Sequence, residues 1–160
     1  MSPAQQPAVT RRHPPKALMK LVNPVIRARI ERGRGGVAKR LLLLHFTGRR
    51  TGREFDVPAA RQDVGGRLCV FTDSGWRVNF REGADIEVTL DGERTPMRAV
   101  LDEDPDSVAA QYAEKLAEIG HRKANRLGIT VNVDRLPTVD EIRDAVVRHG
   151  LSVVHLTPRG

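Results

Sequence analysis

Cysteine, aromatic residues and long apolar runs are all scarce in this chain. It holds one cysteine, Cys69, in 160 residues. A disulfide within the chain is therefore excluded, and so is a cysteine-built metal centre. Cys69 lies inside Leu68–Phe71 and reads as a small core residue. The lack of paired cysteines agrees with a reducing, cytoplasmic setting. Aromatic residues make up 4% of the chain, too few for the stacking platforms that grip single-stranded nucleic acid, and no nucleic-acid partner is expected. No apolar run reaches the length of a membrane span, and the N-terminus lacks the apolar centre of a secretory signal. His13, His45, His121, His149 and His155 lack metal-ligand spacing, so no metal is expected. Gly33–Gly36 follows a helical pattern and precedes a strand, the wrong order for a dinucleotide fingerprint. No Gly-x-Ser-x-Gly elbow occurs.

Acid is missing from the front of the chain. Residues 1–53 carry 13 Lys+Arg and a single acid, Glu31. The remaining residues carry 14 Lys+Arg and 19 acids, so the net charge of +7 arises in the first third. Such asymmetry suits a local anionic partner. At its centre lies Leu41–Arg53, where an apolar run from Leu41 to Phe46 stops at Thr47. Gly48 and Gly52 then bracket Arg49, Arg50 and Thr51, and Arg53 opens the next extended run. A turn with cations, a hydroxyl and glycine-exposed N–H groups can hold a phosphate or carboxylate. The plainer alternative is a strand end with solvated arginines.

Residues 1–14 read as a disordered tail, followed by a single domain over 15–160. Residues 15–32 show a helical stripe through Leu18, Leu21, Val22, Val25, Ile26 and Ile30, interrupted at Pro24 and ended by Gly33, Gly35 and Gly36. That helix either lies across the core or rests, basic face down, on an anionic bilayer, which would make the protein membrane-associated. Leu41–Thr47 reads as a central strand. Arg53–Arg61 alternates, with Pro58 demanding an edge or a bulge. Asp63–Gly66 is a hairpin turn into Leu68–Thr72. Ile86–Leu90 and Arg94–Leu101 flank Asp91-Gly92, a strong hairpin signal. Asp102–Asp106 is an acidic loop suited to capping a helix over Ser107–Asn125. Thr138 and Glu141 form a capping box for a helix running to about His149, and Leu151–Thr157 closes the chain as a strand. The sum is a mainly β protein with flanking helices, a six-stranded antiparallel split β-barrel with an N-terminal helix and a helical C-terminal segment.

With Gly48-Arg-Arg-Thr-Gly52, Pro58 six residues beyond it, Trp76-Arg-Val-Asn79 and Asn23-Pro24 in place, the chain resembles the deazaflavin-dependent nitroreductase family, split-barrel proteins that bind coenzyme F420. The likeness spans about residues 15–101 and, more faintly, the last strand. The segment between Thr72 and Trp76 is short for that family, Tyr112 is the sole tyrosine, and the C-terminal segment is longer than in its small members.

The resemblance implies an F420-dependent oxidoreductase that passes a hydride to an electron-poor small molecule, a quinone, a nitro compound or an activated enone. It implies cofactor contacts from Gly48, Arg49, Arg50, Thr51, Gly52, Arg53, Val57, Pro58, Ala59, Ser74, Trp76 and Asn79. Arg49, Arg50 and Arg53, with N–H groups near Thr51 and Gly52, would hold the phosphate. Lys39 and Arg40 would meet the polyglutamate tail. Val57-Pro58-Ala59 would wall the ring, and Trp76 would lie beside it or brace the turn. A homodimer is also a family expectation. Candidate proton donors are Ser74, Tyr112, His121 and His155, with none singled out. FMN on the same fold, or a non-catalytic binder of deazaflavin or another anionic ligand, would use the same turn.

Overall fold

A computed structural model describes residues 6–11, 28, 30–33 and 35–159, apart from the side chains of 35, 37 and 38. These residues gather into two compact units. The first comprises the described residues of Met1–His13 with Phe71–Asp73 and Asp102–Val153. The second comprises those of Pro14–Val70, Ser74–Leu101 and Val154–Gly160. A single domain over 15–160 was the expectation, and the first unit takes in a strand that precedes residue 15.

That strand corrects the expected tail. Within residues 1–14, Val9–Arg11 form β1, paired antiparallel with Ile129–Val131. Val9 is fully buried, and Asn132 donates back to the Pro7 carbonyl at 2.8 Å. A buried apolar residue and a paired backbone hold this stretch in place. Most of the expected helix over 15–32 lies outside the described residues. Ala28 and residues 30–32 are helical, and Ile30 is fully buried. Gly33 ends that run, as expected, with φ at 66° and its N–H on the Ile30 carbonyl. A Cβ there would stand 2.6 Å from the Asp91 carbonyl oxygen, so only glycine allows this approach.

The second unit is built on antiparallel strands. After a short helix α1 (Gly35–Arg40) come β2 (Leu41–Thr47), β3 (Glu54–Ala60), β4 (Gln62–Val64) and β5 (Arg67–Thr72). A 3₁₀ turn, Gly75–Phe80, precedes β6 (Ala84–Leu90) and β7 (Glu93–Asp102). With the closing strand β9 (Ser152–Pro158), the sheet order is β3-β2-β6-β7-β9-β5-β4. β2 opens on four leucines because both its faces are covered there: Leu42, Leu43 and Leu44 are fully buried. Leu42, Leu44 and Phe46 join Phe80, Ile86, Val88, Met97 and Val154 in one apolar cluster.

Two features refine the predicted strands. The run expected over Arg53–Arg61 ends as a strand at Ala60, and Arg61 N–H still donates to the Arg40 carbonyl at 2.8 Å, one step further along the β2–β3 register. Beyond it the chain continues as β4 and pairs with β5. β3 and β4 thus stand at opposite ends of the strand order with one residue between them. The hairpins fall on Gly65-Gly66 and Asp91-Gly92, with positive φ at both central residues of each (59° and 80°, 52° and 81°). This is the turn geometry whose twist matches the strands.

In the first unit, α2 (Pro105–Ile119) is capped by Asp104, which accepts from the Ser107 N–H at 3.0 Å. It stops at Gly120, short of the predicted Asn125, and a 3₁₀ stretch His121–Leu127 follows. β8 (Ile129–Val131) was not predicted. α3 (Val139–His149) starts on the expected capping box: Thr138 Oγ1 accepts from the Glu141 N–H at 3.1 Å and Glu141 Oε1 from the Thr138 N–H at 2.8 Å. Among the described residues no helix is long and apolar enough to cross a membrane.

Candidate cofactor-binding site

The cationic turn between β2 and β3 is built mainly by its own backbone. Gly48 N–H donates to the Arg53 carbonyl at 2.7 Å and Gly52 N–H to the Gly48 carbonyl at 3.0 Å. Arg53 N–H reaches Thr51 Oγ1 at 3.3 Å. Gly48 is buried, and a Cβ on it would stand 2.9 Å from the Phe55 ring. Gly52 takes the positive φ that closes the turn, 69°. The side chains of Arg49, Arg50, Thr51 and Arg53 are exposed. Arg53 lies over the Phe55 ring, 5.6 Å from its centroid, a cation–π contact that steers the guanidinium.

Asn79 joins this turn to the 3₁₀ turn Gly75–Phe80. Its Oδ1 accepts from the Arg49 N–H at 2.9 Å, and its Nδ2 donates to the Trp76 carbonyl at 2.8 Å. The Arg49 guanidinium adds a bond to the Val78 carbonyl at 3.0 Å. The two sequence motifs thus meet directly. The Gly52 N–H, expected to face a phosphate, is spent inside the turn, and both polar groups of Asn79 are engaged. Among the described residues the N–H groups of Arg50 and Thr51 have no partner, and Arg49 keeps further donors on its five-donor guanidinium.

The other expected contacts separate by face. Val57 and Ala59 pack against the apolar cluster, and strand alternation puts Pro58 on the opposite side. One flat ring cannot lie against all three side chains. β3 is an end strand of its sheet, which is where the Pro58 backbone is tolerated. Trp76 sits among core rings, 6.2 Å from Phe46 and 6.0 Å from Phe80 between centroids, and braces the 3₁₀ turn. Ser74 precedes that turn, and its carbonyl accepts from both the N–H and the guanidinium of Arg77. Lys39 and Arg40 are exposed at the end of α1. Of the candidate donors, Tyr112 is buried against Phe71 with ring centroids 4.5 Å apart, and it and His121 belong to the first unit.

A cavity of about 380 Å³ opens where β2 and β6 part. Their pairing ends at His45↔Glu87. Phe46, Phe55, Phe80 and Asn79 line it, together with His45, Asp56 and Glu87. Its volume falls in the range of small-molecule sites. His45 is buried, with Nδ1 2.7 Å from Asp56 Oδ1 and Nε2 2.7 Å from Thr89 Oγ1. Sequence reasoning passed over both His45 and Asp56. The available signal was a lone histidine in an apolar strand opposite an acid one strand away. A hollow of about 480 Å³ in the first unit, lined by His121, Asn125, Thr130, Asn132 and Asp134, contains no residue of either motif.

The residues present fit a phosphate-bearing planar group. Exposed Arg50 and Arg53, with the Arg50 and Thr51 N–H groups, offer charge-assisted donors for an anion. The adjoining cavity offers aromatic walls for a ring. No family model matches the chain, and no curated protein does. A solved structure described as a domain-swapped dimer is similar over 87% of this chain and 98% of its own, at a TM-score of 0.46 and 15% identity.

Proposed function

We propose that the protein is a coenzyme F420-dependent oxidoreductase acting on an electron-poor small molecule. The observation that carries this reading is the bond from the Arg49 N–H to Asn79 Oδ1, 2.9 Å, which brings together two motifs 30 residues apart. The sheet order supports a six-stranded split barrel: with β3 and β4 counted as one bent strand, it begins and ends on the same run of chain. Arg50 and Arg53, with the Arg50 and Thr51 N–H groups, hold the phosphate of the cofactor, and Arg49 both ties the turn and adds charge. The aromatic side of the cavity beside Asn79 receives the ring. When bound in its reduced form, the cofactor supplies a hydride for an acceptor such as a quinone, nitro compound or activated enone. The chain orients the two partners and keeps water from the apolar wall.

Side-by-side titration with oxidised coenzyme F420 and FMN tests this. F420 binds in the micromolar range or tighter, and Arg50→Ala weakens it by roughly 1.5–3 kcal/mol with no change in melting temperature. Failure of both cofactors to bind, or an unaffected Arg50→Ala, removes the assignment. Preference for FMN moves the protein to a flavin oxidoreductase of the same fold. Tight F420 binding without turnover of any acceptor makes it a binder.

A further inference from the structure

The first unit holds a hollow of about 480 Å³, within the range of small-molecule sites and built from none of the residues of the cationic turn. It is lined by residues of the 3₁₀ stretch His121–Leu127, of β8 and of the loop 132–134 that follows. Gly128, at φ 74°, turns the chain from the first of these into the second. β8 is held by its pairing with β1. Asn132 ties the loop down by donating from Nδ2 to the Pro7 carbonyl at 2.8 Å and to Thr10 Oγ1 at 3.2 Å. Buried Ala124 and Ile129 and half-buried Val131 and Val133 make part of the lining apolar.

The charge here is uneven. The 3₁₀ stretch carries His121, Arg122, Lys123 and Arg126 and no acid. The loop supplies one, Asp134, whose Oδ1 lies 3.3 Å from His121 Nε2 and 3.8 Å from the Arg122 guanidinium. A carboxylate only accepts, so Nε2 carries the hydrogen. Both contacts are long for charged hydrogen bonds. The side chains of Asp134 and Arg122 are 86% and 84% exposed, and pairs so placed contribute little. A carboxylate arriving from solution therefore exchanges for that of Asp134 at small cost. The next guanidinium along the chain, Arg135, is engaged on Glu141 by two bonds of 2.6 and 2.9 Å. Asn125 and Thr130 also line the hollow, and among the described residues the Asn125 amide and the Thr130 hydroxyl have no partner.

We propose that this hollow is a binding site for a small carboxylate with an apolar body. The ligand's carboxylate takes the place of Asp134 against His121 and Arg122, with Asn125 and Thr130 offering further hydrogen bonds. The apolar body covers Ala124, Ile129 and Val131. Asp134 stays close by, which disfavours a doubly charged phosphate. The site is independent of the cofactor turn in the second unit.

The test is a nuclear magnetic resonance titration of the full chain with naphthoate, and with neutral naphthamide as its uncharged counterpart. Naphthoate saturably shifts the ring-nitrogen signals of His121 and the backbone amides of Ile129 and Val131, with a dissociation constant of about 1 mM or tighter. Naphthamide binds roughly 10-fold more weakly. Asp134→Asn removes the resident competitor and tightens naphthoate binding roughly 2- to 5-fold. Arg122→Gln weakens it roughly 10-fold. Unmoved His121 signals, or equal binding of naphthoate and naphthamide, overturn the proposal. An Asp134→Asn variant that binds no tighter than the wild type overturns it as well. Shifts confined to the amides of Arg50 and Thr51 overturn this site and leave the anion-binding turn standing. Should either variant misfold, the two probes on the wild type decide.

Discussion

Replacing Asn79 by alanine separates the joint between the two turns from every arginine side chain. The substitution deletes the acceptor of the Arg49 N–H and the donor to the Trp76 carbonyl, two bonds of 2.9 and 2.8 Å. Each bond of this kind contributes about 0.5–1.5 kcal/mol net. Asn79 is half-buried and the Arg49 end is exposed, so water replaces part of what is lost. The sum is about 1–2 kcal/mol, equivalent to a fall of roughly 2–8 °C in melting temperature for a chain of this size. Asparagine to aspartate keeps the acceptor, loses the donor and sets a carboxylate oxygen against the Trp76 carbonyl. It therefore destabilises as well, and its added negative charge weakens anion binding more than alanine does. Differential scanning calorimetry and cofactor titration on the three proteins read both effects. An alanine variant that melts and binds like the wild type would mean that the turns hold their places without this bridge. The bond between Arg49 and Asn79 would then not define the site.

The remaining predictions concern α3 and the core. The Glu141 carboxyl is lowered to about 2 from 4.5, first by the hydrogen bond from Arg135 and next by the Thr138 N–H. Its folded value lies below the unfolded one, so its support of the helix start is present above about pH 4.5 and is lost as pH falls toward 2. A carbon-13 carboxyl titration shows this midpoint directly. Arg135→Ala moves it upward but leaves it below the ordinary value, because the Thr138 bond remains; an unmoved midpoint would refute the assignment. Leu44→Ala, at a fully buried position in the apolar cluster, costs about 2–5 kcal/mol in urea denaturation. A cost below about 1 kcal/mol would mean that the cluster collapses around the gap.

Much of the fold was legible because its signals are local. The Asp91-Gly92 turn, the Thr138–Glu141 cap and the four leucines that open β2 each state their structure within a few residues. The β1–β8 pair could not be read so. Its strands have three residues each and lie more than a hundred positions apart, too short for a period to show. The break at Arg61 was equally hidden, since nothing in the alternation marks where a strand exchanges one neighbour for another. At the site, the turn and the Trp76–Asn79 motif were visible separately, while their bond depends on tertiary placement. His45 and Asp56 were missed because the turn between β2 and β3 is six residues long, and only the register His45↔Asp56 reveals them as neighbours.

The bridge at Asn79 uses the main chain of residue 49. Identity at Arg50 and Arg53 is therefore decoupled from the scaffold that presents them. Arg50 can be exchanged for lysine, serine or glutamine with the corner kept intact, and a change at Arg53 gives up only its contact over the Phe55 ring. Such a corner is a natural place to retune which anion is held, since a change of appetite there carries no architectural penalty.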